Sequence, residues 1–336
     1  MQHRVLAIMV LGLLAPNVST HAQTVIFVPG KRIEVVGLRR WTIPMIQDSL
    51  RKYADGVTLE SHACAAALRY KLGFADASAT NYGVWQGDSV QSIFISVVEP
   101  QDSARVNYRS APMDTTAFLT EWASTSRLVD RNMGALAFVL DEISYRRAGR
   151  QLRPIPKQLD STAVETFRSF LASHSRNADA VLAQRVLVND PNDRSRIVAA
   201  AILANFTEKN TSLFSLVEAM RENDGRVKQI ARQVLFNFAQ DAPRRVDWKP
   251  ATRGLHAILN GTSLFQAQSV MDLLVATRVN PALAGQLLKH GGQAVTDYLG
   301  AQHPWPRESA HKLLVALSGH DFGYDVPQWR HWIDTL

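Results

Sequence analysis

The second half of the chain repeats its pattern of hydrophobic and polar positions. Residues 194–206 (RSRIVAAAILANF) and residues 226–238 (RVKQIARQVLFNF) align at an offset of 32 residues and end in the same Asn-Phe pair. In this alignment Val198 corresponds to Ile230, and the other apolar positions follow at helical spacing. A repeat of roughly 20–50 residues with one such helix per copy predicts a stacked helical array, because each unit buries its apolar stripe only against its neighbours.

Hydrophobic stripes continue this array toward the C-terminal end. Residues 263–277 and residues 306–317 carry the same inner-helix pattern. Trp329 and Trp332 lie three residues apart, on one face of a helical turn, and suit a cap over the last stripe. We therefore predict an all-α array over residues 161–336, closed by a C-terminal cap.

Shorter elements of a different kind precede the array. Residues 33–37 (IEVVG) predict a strand that ends at a glycine. Two helices are predicted over residues 44–54 and 62–72, and a weaker strand over residues 74–85. The best strand signal is residues 90–98 (VQSIFISVV). The order β-α-α-β-β predicts an α+β N-terminal domain, and the fold class is therefore α+β followed by an all-α array.

Alternation assigns the faces of the best strand. Ile93, Ile95 and Val97 are predicted on one face of the sheet and Phe94 and Val98 on the other, because successive side chains of a strand point to opposite faces. Residues 104–109 also alternate and suggest a further strand.

The N-terminal domain resembles the POTRA domain of outer-membrane assembly, two-partner secretion and bacterial division proteins. The resemblance rests on residues 33–37 (IEVVG), residues 72–74 (LGF) and residues 93–100 (IFISVVEP). In that family a glycine ends the first strand, Gly-Phe leads into the second, and a Val-Val-Glu run ends the third. The usual Gly-Asn after the first strand is Gly37-Leu38 here. A generic small α+β domain is the alternative.

The POTRA resemblance implies a docking module that binds extended chains by adding a strand to an exposed sheet edge. The outer strand of a short sheet has free N–H and C=O groups that another chain can pair with. The weaker strand is the edge candidate, because weak side-chain patterning suits a strand bound through its backbone, although it equally fits a loop. The candidate partner-binding residues on it are Ala77, Ala79, Asn81, Val84 and Trp85.

The helical array resembles HEAT-repeat α-solenoids of the bacterial envelope type. In two copies a turn (Asp-Pro at residues 190–191, Asn-Asp-Gly at residues 223–225) is followed by a basic residue, Arg196 or Lys228, and then by the small apolar stripe. Residues 319–333 also look like the closing segment of some bacterial HEAT-like proteins.

A helical connector, residues 111–160, joins the α+β domain at residues 23–110 to the array. Residues 129–146 predict a helix within it. Residues 146–156 (RRAGRQLRPIP) combine arginines with two prolines, which indicates a linker or a sharp boundary. A solvated connector explains the arginines, with binding of an anionic surface as the alternative.

The N-terminal residues predict export. Residues 1–22 combine Arg4, an apolar run at residues 5–15 and small residues before the end, which is the pattern of a signal peptide, with an uncleaved anchor as the alternative. We expect a periplasmic, envelope or secreted protein. Cys64 is the single cysteine, so an internal disulfide is excluded, and its apolar surroundings favour a buried residue over a reactive thiol.

The formal net charge of +7 bears on the choice of partner. An exported protein meets little nucleic acid, so an anionic membrane surface, a polyanionic glycan or an acidic protein are the realistic anionic partners, and plain solubility is the simpler explanation. Arg196, Lys228 and Arg232 are candidate partner-binding residues on a basic stripe of the array. Solvated helix starts whose stems cover apolar surface are the alternative.

The sequence contains none of the motifs H-E-x-x-H, G-x-S-x-G, G-x-G-x-x-G and C-x-x-C, and no Walker loop. We therefore predict no catalytic residue, no cofactor and no small-molecule substrate. His311, His320 and His331 cluster with Asp321 near the end, but their spacing matches no metal-ligand pattern, so polar residues around a cap are favoured over a metal site.

These patterns together predict an exported, non-enzymatic adaptor. The α+β domain would take an extended segment of one envelope protein, and the array would hold a second protein. The alternative is binding of an anionic glycan or lipid surface by a basic face of the array, which a steep loss of binding with added salt would favour. An enzyme is the third possibility, disfavoured by export and by the missing acid–base groups.

Overall fold

The computed structural model describes residues 24–84, 90–110, 112, 122–289 and 292–336. The predicted signal peptide lies outside the described residues, and so does Trp85. A four-stranded sheet and two helices form the N-terminal part, and a long all-helical region follows, which confirms the predicted fold class.

The sheet has the strand order β1-β2-β4-β3. Its central strands β2 and β4 run parallel, and both outer strands pair antiparallel with their neighbours. The strand β1 is an addition to the predicted order and forms a hairpin with β2. The four strands are β1 (Thr24–Val28), β2 (Lys31–Val36), β3 (Asp76–Val84) and β4 (Gln91–Val98).

Helices α1 (Ile43–Tyr53) and α2 (Cys64–Tyr70) cover one face of the sheet. Their apolar side chains share a core with Ile93, Ile95 and Val97, whereas Phe94 joins the core of the helical region. The predicted assignment of these four residues to the two faces is therefore confirmed, and both faces of the sheet are buried.

Gly37 after β2 and Glu99 after β4 each have a structural reason for their residue type. Gly37 ends β2 with a φ of +90°, and a Cβ atom there would lie 2.1 Å from the carbonyl oxygen of Val97. Only glycine fits such a close approach of two backbones. The fully buried Glu99 follows β4, and one carboxylate oxygen accepts hydrogen bonds from the backbone N–H groups of Arg39 (2.6 Å) and Trp41 (3.0 Å).

The strand suggested at residues 104–109 is wrong. The chain after β4 forms a 3-10 helix at Pro100–Arg105, with proline at its start. Beyond it, only Arg109 makes an isolated parallel bridge, to Glu222 of the helical region. Proline at the first helical position favours a helical turn over a further strand here.

Twelve helices of the described residues follow the sheet. They are α3 (Ala123–Arg147), α4 (Ser161–Ser173), α5 (Asn177–Asn189), α6 (Asp193–Ile202), α7 (Asn210–Ala219), α8 (Gly225–Asp241), α9 (Thr252–Leu259), α10 (Leu264–Ala276), α11 (Ala284–Leu288), α12 (Gly292–Leu299), α13 (Pro304–Ser318) and α14 (Val326–Asp334).

The helices that carry the repeated stripes pack side by side. Helix α6 contacts α8, α8 contacts α10, and α10 contacts α13. A second row is formed by α5, α7 and α9, which pack against these helices and against one another. The aligned positions Val198 and Ile230 are both at most 2 % exposed. The predicted neighbour relation of the two repeat copies is therefore confirmed.

Helix α3 adds a third layer over part of the array. It packs against α6 and α8 as well as α4. Its apolar stripe, which includes Val129, Leu136 and Leu140, is buried. Asp130, in the N-terminal third of this helix, forms ion pairs with Arg194 and Arg226, at the starts of α6 and α8. The helix predicted inside the connector is thus part of the core of the helical region.

The second face of the sheet docks on the array through buried polar groups and one aromatic contact. Glu34 accepts hydrogen bonds from the backbone N–H groups of Gln302 (2.5 Å) and His303 (3.1 Å), which precede α13. Arg39 donates to both carboxylate oxygens of Asp297 on α12, at 2.7 and 3.0 Å. The rings of Phe94 and Tyr298 lie 6.1 Å apart between these contacts.

The C-terminal helix α14 closes the array by packing on α12. Trp329 is fully buried, and its indole N–H donates to the backbone oxygen of Gly323 at 2.8 Å. Trp332 lies against it with a ring distance of 5.8 Å. His311 Nε2 lies 2.7 Å from the Asp321 carboxylate beside this cluster.

Candidate binding site at the edge of the sheet

Strand β3 forms one edge of the sheet. It pairs with β4 along one side, and no described residue adds a strand on its other side. Its backbone groups on that side therefore offer the donors and acceptors that an added strand would use. The register shifts between Asn81 and Val84, which marks an irregularity in the second half of the strand.

The first residues of β3 are tied to the helical region. Thr262, just before α10, donates its hydroxyl to Asp76 at 2.5 Å and accepts the Ser78 hydroxyl on its backbone oxygen at 2.5 Å. Tyr108 also donates its hydroxyl to Asp76, and the Arg69 guanidinium lies 3.7 Å from the same carboxylate. Asp76 is thus fully engaged, and it fixes the start of the edge strand on the array.

Lys228 of α8 reaches the same place through Tyr108, and Arg232 lies one helical turn further along α8, against Phe265 at the start of α10. The Lys228 ammonium is 5.5 Å from the centre of the Tyr108 ring, and the Arg232 guanidinium is 5.8 Å from that of Phe265. These residues are four apart, so they share one face of α8. We call the set Asp76, Tyr108, Thr262, Lys228, Arg232 and Phe265 the β3–α8 junction.

The two cations lack a carboxylate partner. Among the described residues, no carboxylate oxygen lies within 4.0 Å of the Lys228 ammonium or the Arg232 guanidinium. Burial lowers the pKa of Lys228, with partial compensation by the charge of Asp76, and burial alone lowers the pKa of Arg232. Both positive charges are therefore partly desolvated without a neutralising neighbour at contact distance, which is unfavourable in the unbound protein.

The other basic residues at the repeated positions, Arg194, Arg196 and Arg226, form ion pairs with carboxylates of the same molecule. Arg196 is 3 % exposed and donates to the buried carboxylate of Glu222 at 2.9 Å, so it is not accessible to a partner. Arg194 pairs with Asp130, and Arg226 pairs with Asp130 and Asp193. The predicted basic stripe is thereby reduced to Lys228 and Arg232.

The candidate residues on β3 differ in accessibility. Ala77 is buried against the core under α1 and α2, whereas Ala79 and Asn81 are exposed. Val84 is the last residue of the strand, and Trp85 lies outside the described residues. The structure therefore brings Ala79 and Asn81 to the same edge of the sheet, while Ala77 acts in packing.

Sequence reasoning missed Tyr108, Thr262 and Phe265. Tyr108 is separated from Asp76 by 32 positions and Thr262 by 186, and no local motif marks either contact. One feature of the sequence could have indicated these contacts. Asp76 and Ser78 are polar residues at alternate positions of β3, so their side chains lie on the same face of the sheet, opposite the core under α1 and α2.

The described part of the chain contains no group of three or more His, Cys, Asp and Glu side chains arranged to hold a metal ion. Within the same residues, no helix has the length and hydrophobicity needed to span a bilayer. Burial raises the pKa of the Cys64 thiol to about 12, which keeps this side chain protonated near neutral pH.

Compared with protein-family models, with curated proteins and with solved structures, this chain has no match.

Proposed function

We propose that this protein is an exported, non-enzymatic adaptor that binds an extended segment of an envelope protein along β3 and holds a second protein on its helical array. In this proposal the N-terminal part is a POTRA-like docking domain and the helical part is a HEAT-like solenoid. The observation that supports it most directly is the position of β3 at the edge of the sheet, with its outer side unpaired among the described residues.

The way in which the sheet is held suits strand addition. Hydrogen bonds of Asp76 and Ser78 with Thr262 hold the start of β3 on the helical region, so the edge strand is presented in one orientation. A pre-ordered edge loses little conformational entropy on binding, which favours recognition through main-chain hydrogen bonds. Because α3 covers one side of α6 and α8, a second partner on that side would contact α3 itself.

The structure gives less support to the alternative, binding of an anionic glycan or lipid by a basic face. Arg194, Arg196 and Arg226 already form ion pairs with carboxylates of the same chain. The remaining pair, Lys228 and Arg232, is too small a patch for a polyanion bound by charge alone, since such binding rests on many contacts that salt screens.

The proposal is tested with two neighbouring proline substitutions, Ala79→Pro and Thr80→Pro. Successive residues of an edge strand point their N–H groups alternately toward the paired strand and outward. One variant therefore removes a sheet hydrogen bond and lowers the melting temperature, while the other removes only an outward donor and leaves stability nearly unchanged.

The probe is a phage-displayed library of random 12-residue peptides panned on residues 24–336. Recovered peptides are expected to bind the wild-type chain and to lose at least roughly tenfold in affinity on the proline variant that keeps its melting temperature, because the added strand loses a main-chain hydrogen bond and fits poorly against the proline ring. Recovery of no peptide above background, or equal affinity for both variants and wild type, would overturn strand addition at β3.

A further inference from the structure

Lys228 and Arg232 of α8 differ from the basic residues in the first turns of α6 and α8. Arg194, Arg196 and Arg226 each have a carboxylate within 3 Å. The two cations at the β3–α8 junction have none within 4.0 Å among the described residues, although both are withdrawn from solvent. Partly buried charges are ordinarily paired, so this contrast points to a partner group that is supplied on binding.

The neighbouring charges do not supply that group. Asp76 is the nearest acid on the sheet, and it already accepts from Tyr108 and Thr262 and faces Arg69. Glu222 and Asp224 act on Lys228 only at longer range. Asp76 is thus engaged with Arg69 as well, so among the described residues of the junction Lys228 has no carboxylate at contact distance.

We infer that the segment taken up at β3 is acidic and places carboxylates on Lys228 and Arg232. This inference rests on the proposed function and names the chemistry of its partner. Aromatic rings under both cations, Tyr108 and Phe265, hold the side chains against the array, so that a carboxylate meets an ordered donor.

The spacing of the cations sets the spacing of the acids. Four residues of helix rise about 6 Å, and two residues of an extended strand span about 6.6 Å. Alternate residues of a strand also share a face. An extended segment whose side chains reach both cations therefore matches the pair with an acid–x–acid pattern.

The test compares the wild-type chain with the double variant Lys228→Met/Arg232→Met. Methionine keeps the apolar stem over the aromatic ring and removes the charge, so the melting temperature is expected to stay the same or rise. The matched control is Arg185→Met/Lys249→Met, which removes the same charge at two exposed positions with no ion pair among the described residues. The same 12-residue peptide library is panned on all three proteins.

We expect peptides selected on the wild type and on the control to be enriched in Asp and Glu at alternate positions, and those selected on the double variant not to be. Replacing the acids of a selected peptide by Asn and Gln should weaken its binding to wild type by roughly tenfold and its binding to the double variant by less than roughly twofold.

The failure of this inference is distinguishable from failure of the proposed function. Selected peptides without an excess of acids that still respond to the proline variants would overturn the acidic partner and leave strand addition intact. An acid preference that persists in the double variant, or stronger binding to vesicles of anionic phospholipid than to any peptide, would also overturn it. Recovery of no peptide at all would reject the proposed function itself.

Discussion

Single residues account for the short motifs at the ends of the strands. Gly37 is required because β2 ends where the carbonyl oxygen of Val97 approaches within 2.1 Å of the position of a Cβ atom. Glu99 is required because its carboxylate satisfies backbone N–H groups of the loop after β2. Both contacts join the end of β2 to the end of β4, so the glycine and the glutamate of the quoted motifs act on the same corner of the sheet.

Gly37→Ala is expected to destabilise the protein by about 2 kcal/mol or more, for two reasons. Alanine is strained at the positive φ of this position, and its Cβ atom would clash with the carbonyl oxygen of Val97. Gly30→Ala is the matched control. Gly30 has a φ of +72°, but a Cβ atom added there would meet nothing within 4 Å, so only the conformational cost of about 1 kcal/mol applies. Urea unfolding measures both free energies, and equal losses for the two variants would contradict the role given to Val97.

Glu99 predicts an acid-sensitive contribution to stability. Burial by itself raises the pKa of this carboxyl, but hydrogen bonds from the N–H groups of Arg39, Trp41 and Arg40 and from the Gln101 amide outweigh it and lower the pKa below its ordinary value of 4.5. The unfolded chain therefore binds the proton more readily than the folded protein, and the stabilisation is present above about pH 4.5 and disappears as the pH falls through the folded pKa.

Glu99→Gln should accordingly cost about 1.5–3 kcal/mol at pH 7, the range for hydrogen bonds to a charged group. The difference from wild type should shrink as the pH is lowered below about 4.5, because the wild-type carboxyl is then neutral as well. Unfolding free energies measured from pH 3 to 7 check this, and a difference that is constant over the range would contradict it.

At the scale of elements, the hydrophobic period of the sequence predicted the helices and the packing of the repeated ones. It did not predict how elements far apart in the chain are joined by polar contacts. The stripes of α6 and α8 follow the helical period, and their mutual packing was predicted correctly from the repeat. The cover that α3 provides and the docking of Glu34 before α13 were not predicted. These contacts join residues up to 269 positions apart and need only one acid and two backbone N–H groups, which leave no pattern in a single sequence.

The candidate site was predicted only in part, because long-range contacts again decide which residues belong to it. The repeated basic positions are visible in the sequence, but whether each is paired depends on acids from other elements. Asp130 of α3 pairs with Arg194 and Arg226, and Glu222 pairs with Arg196. Lys228 and Arg232 instead lie against the rings of Tyr108 and Phe265. Only the packed structure separates these two groups.

The buried pair of Arg196 and Glu222 ties α6 to the end of α7, and Arg109 adds a contact to Glu222 from the segment after the sheet. Glu222→Gln should cost about 3 kcal/mol or more, because it leaves a buried guanidinium without its counter-charge. The control is Glu165→Gln, whose side chain is 62 % exposed beside Arg168 and whose loss should cost less than about 1 kcal/mol. Thermal and urea unfolding compare the two, and equal effects would contradict the structural role of the buried pair.

At the scale of the whole molecule, the sheet and the array act as one support for the edge strand. One face of the sheet packs on α1 and α2, and the other lies on α12 and on the turns before α10 and α13. This arrangement leaves β3 at the edge, with Lys228 of α8 over Tyr108, which donates to Asp76 at the start of the strand. The junction between the two parts therefore supplies both features of the proposed site: unpaired backbone from one and unpaired charge from the other.

Hydrogen–deuterium exchange of β3, with and without a peptide selected on the full chain, tests the central claim most directly. If a segment adds to the edge strand, outward amides within residues 79–81 become protected on binding, because they enter new inter-strand hydrogen bonds. Protection in β3 that disappears in the proline variant with unchanged stability is the predicted result. Binding of the peptide with no change in β3 exchange, and protection elsewhere on the array, would contradict the account.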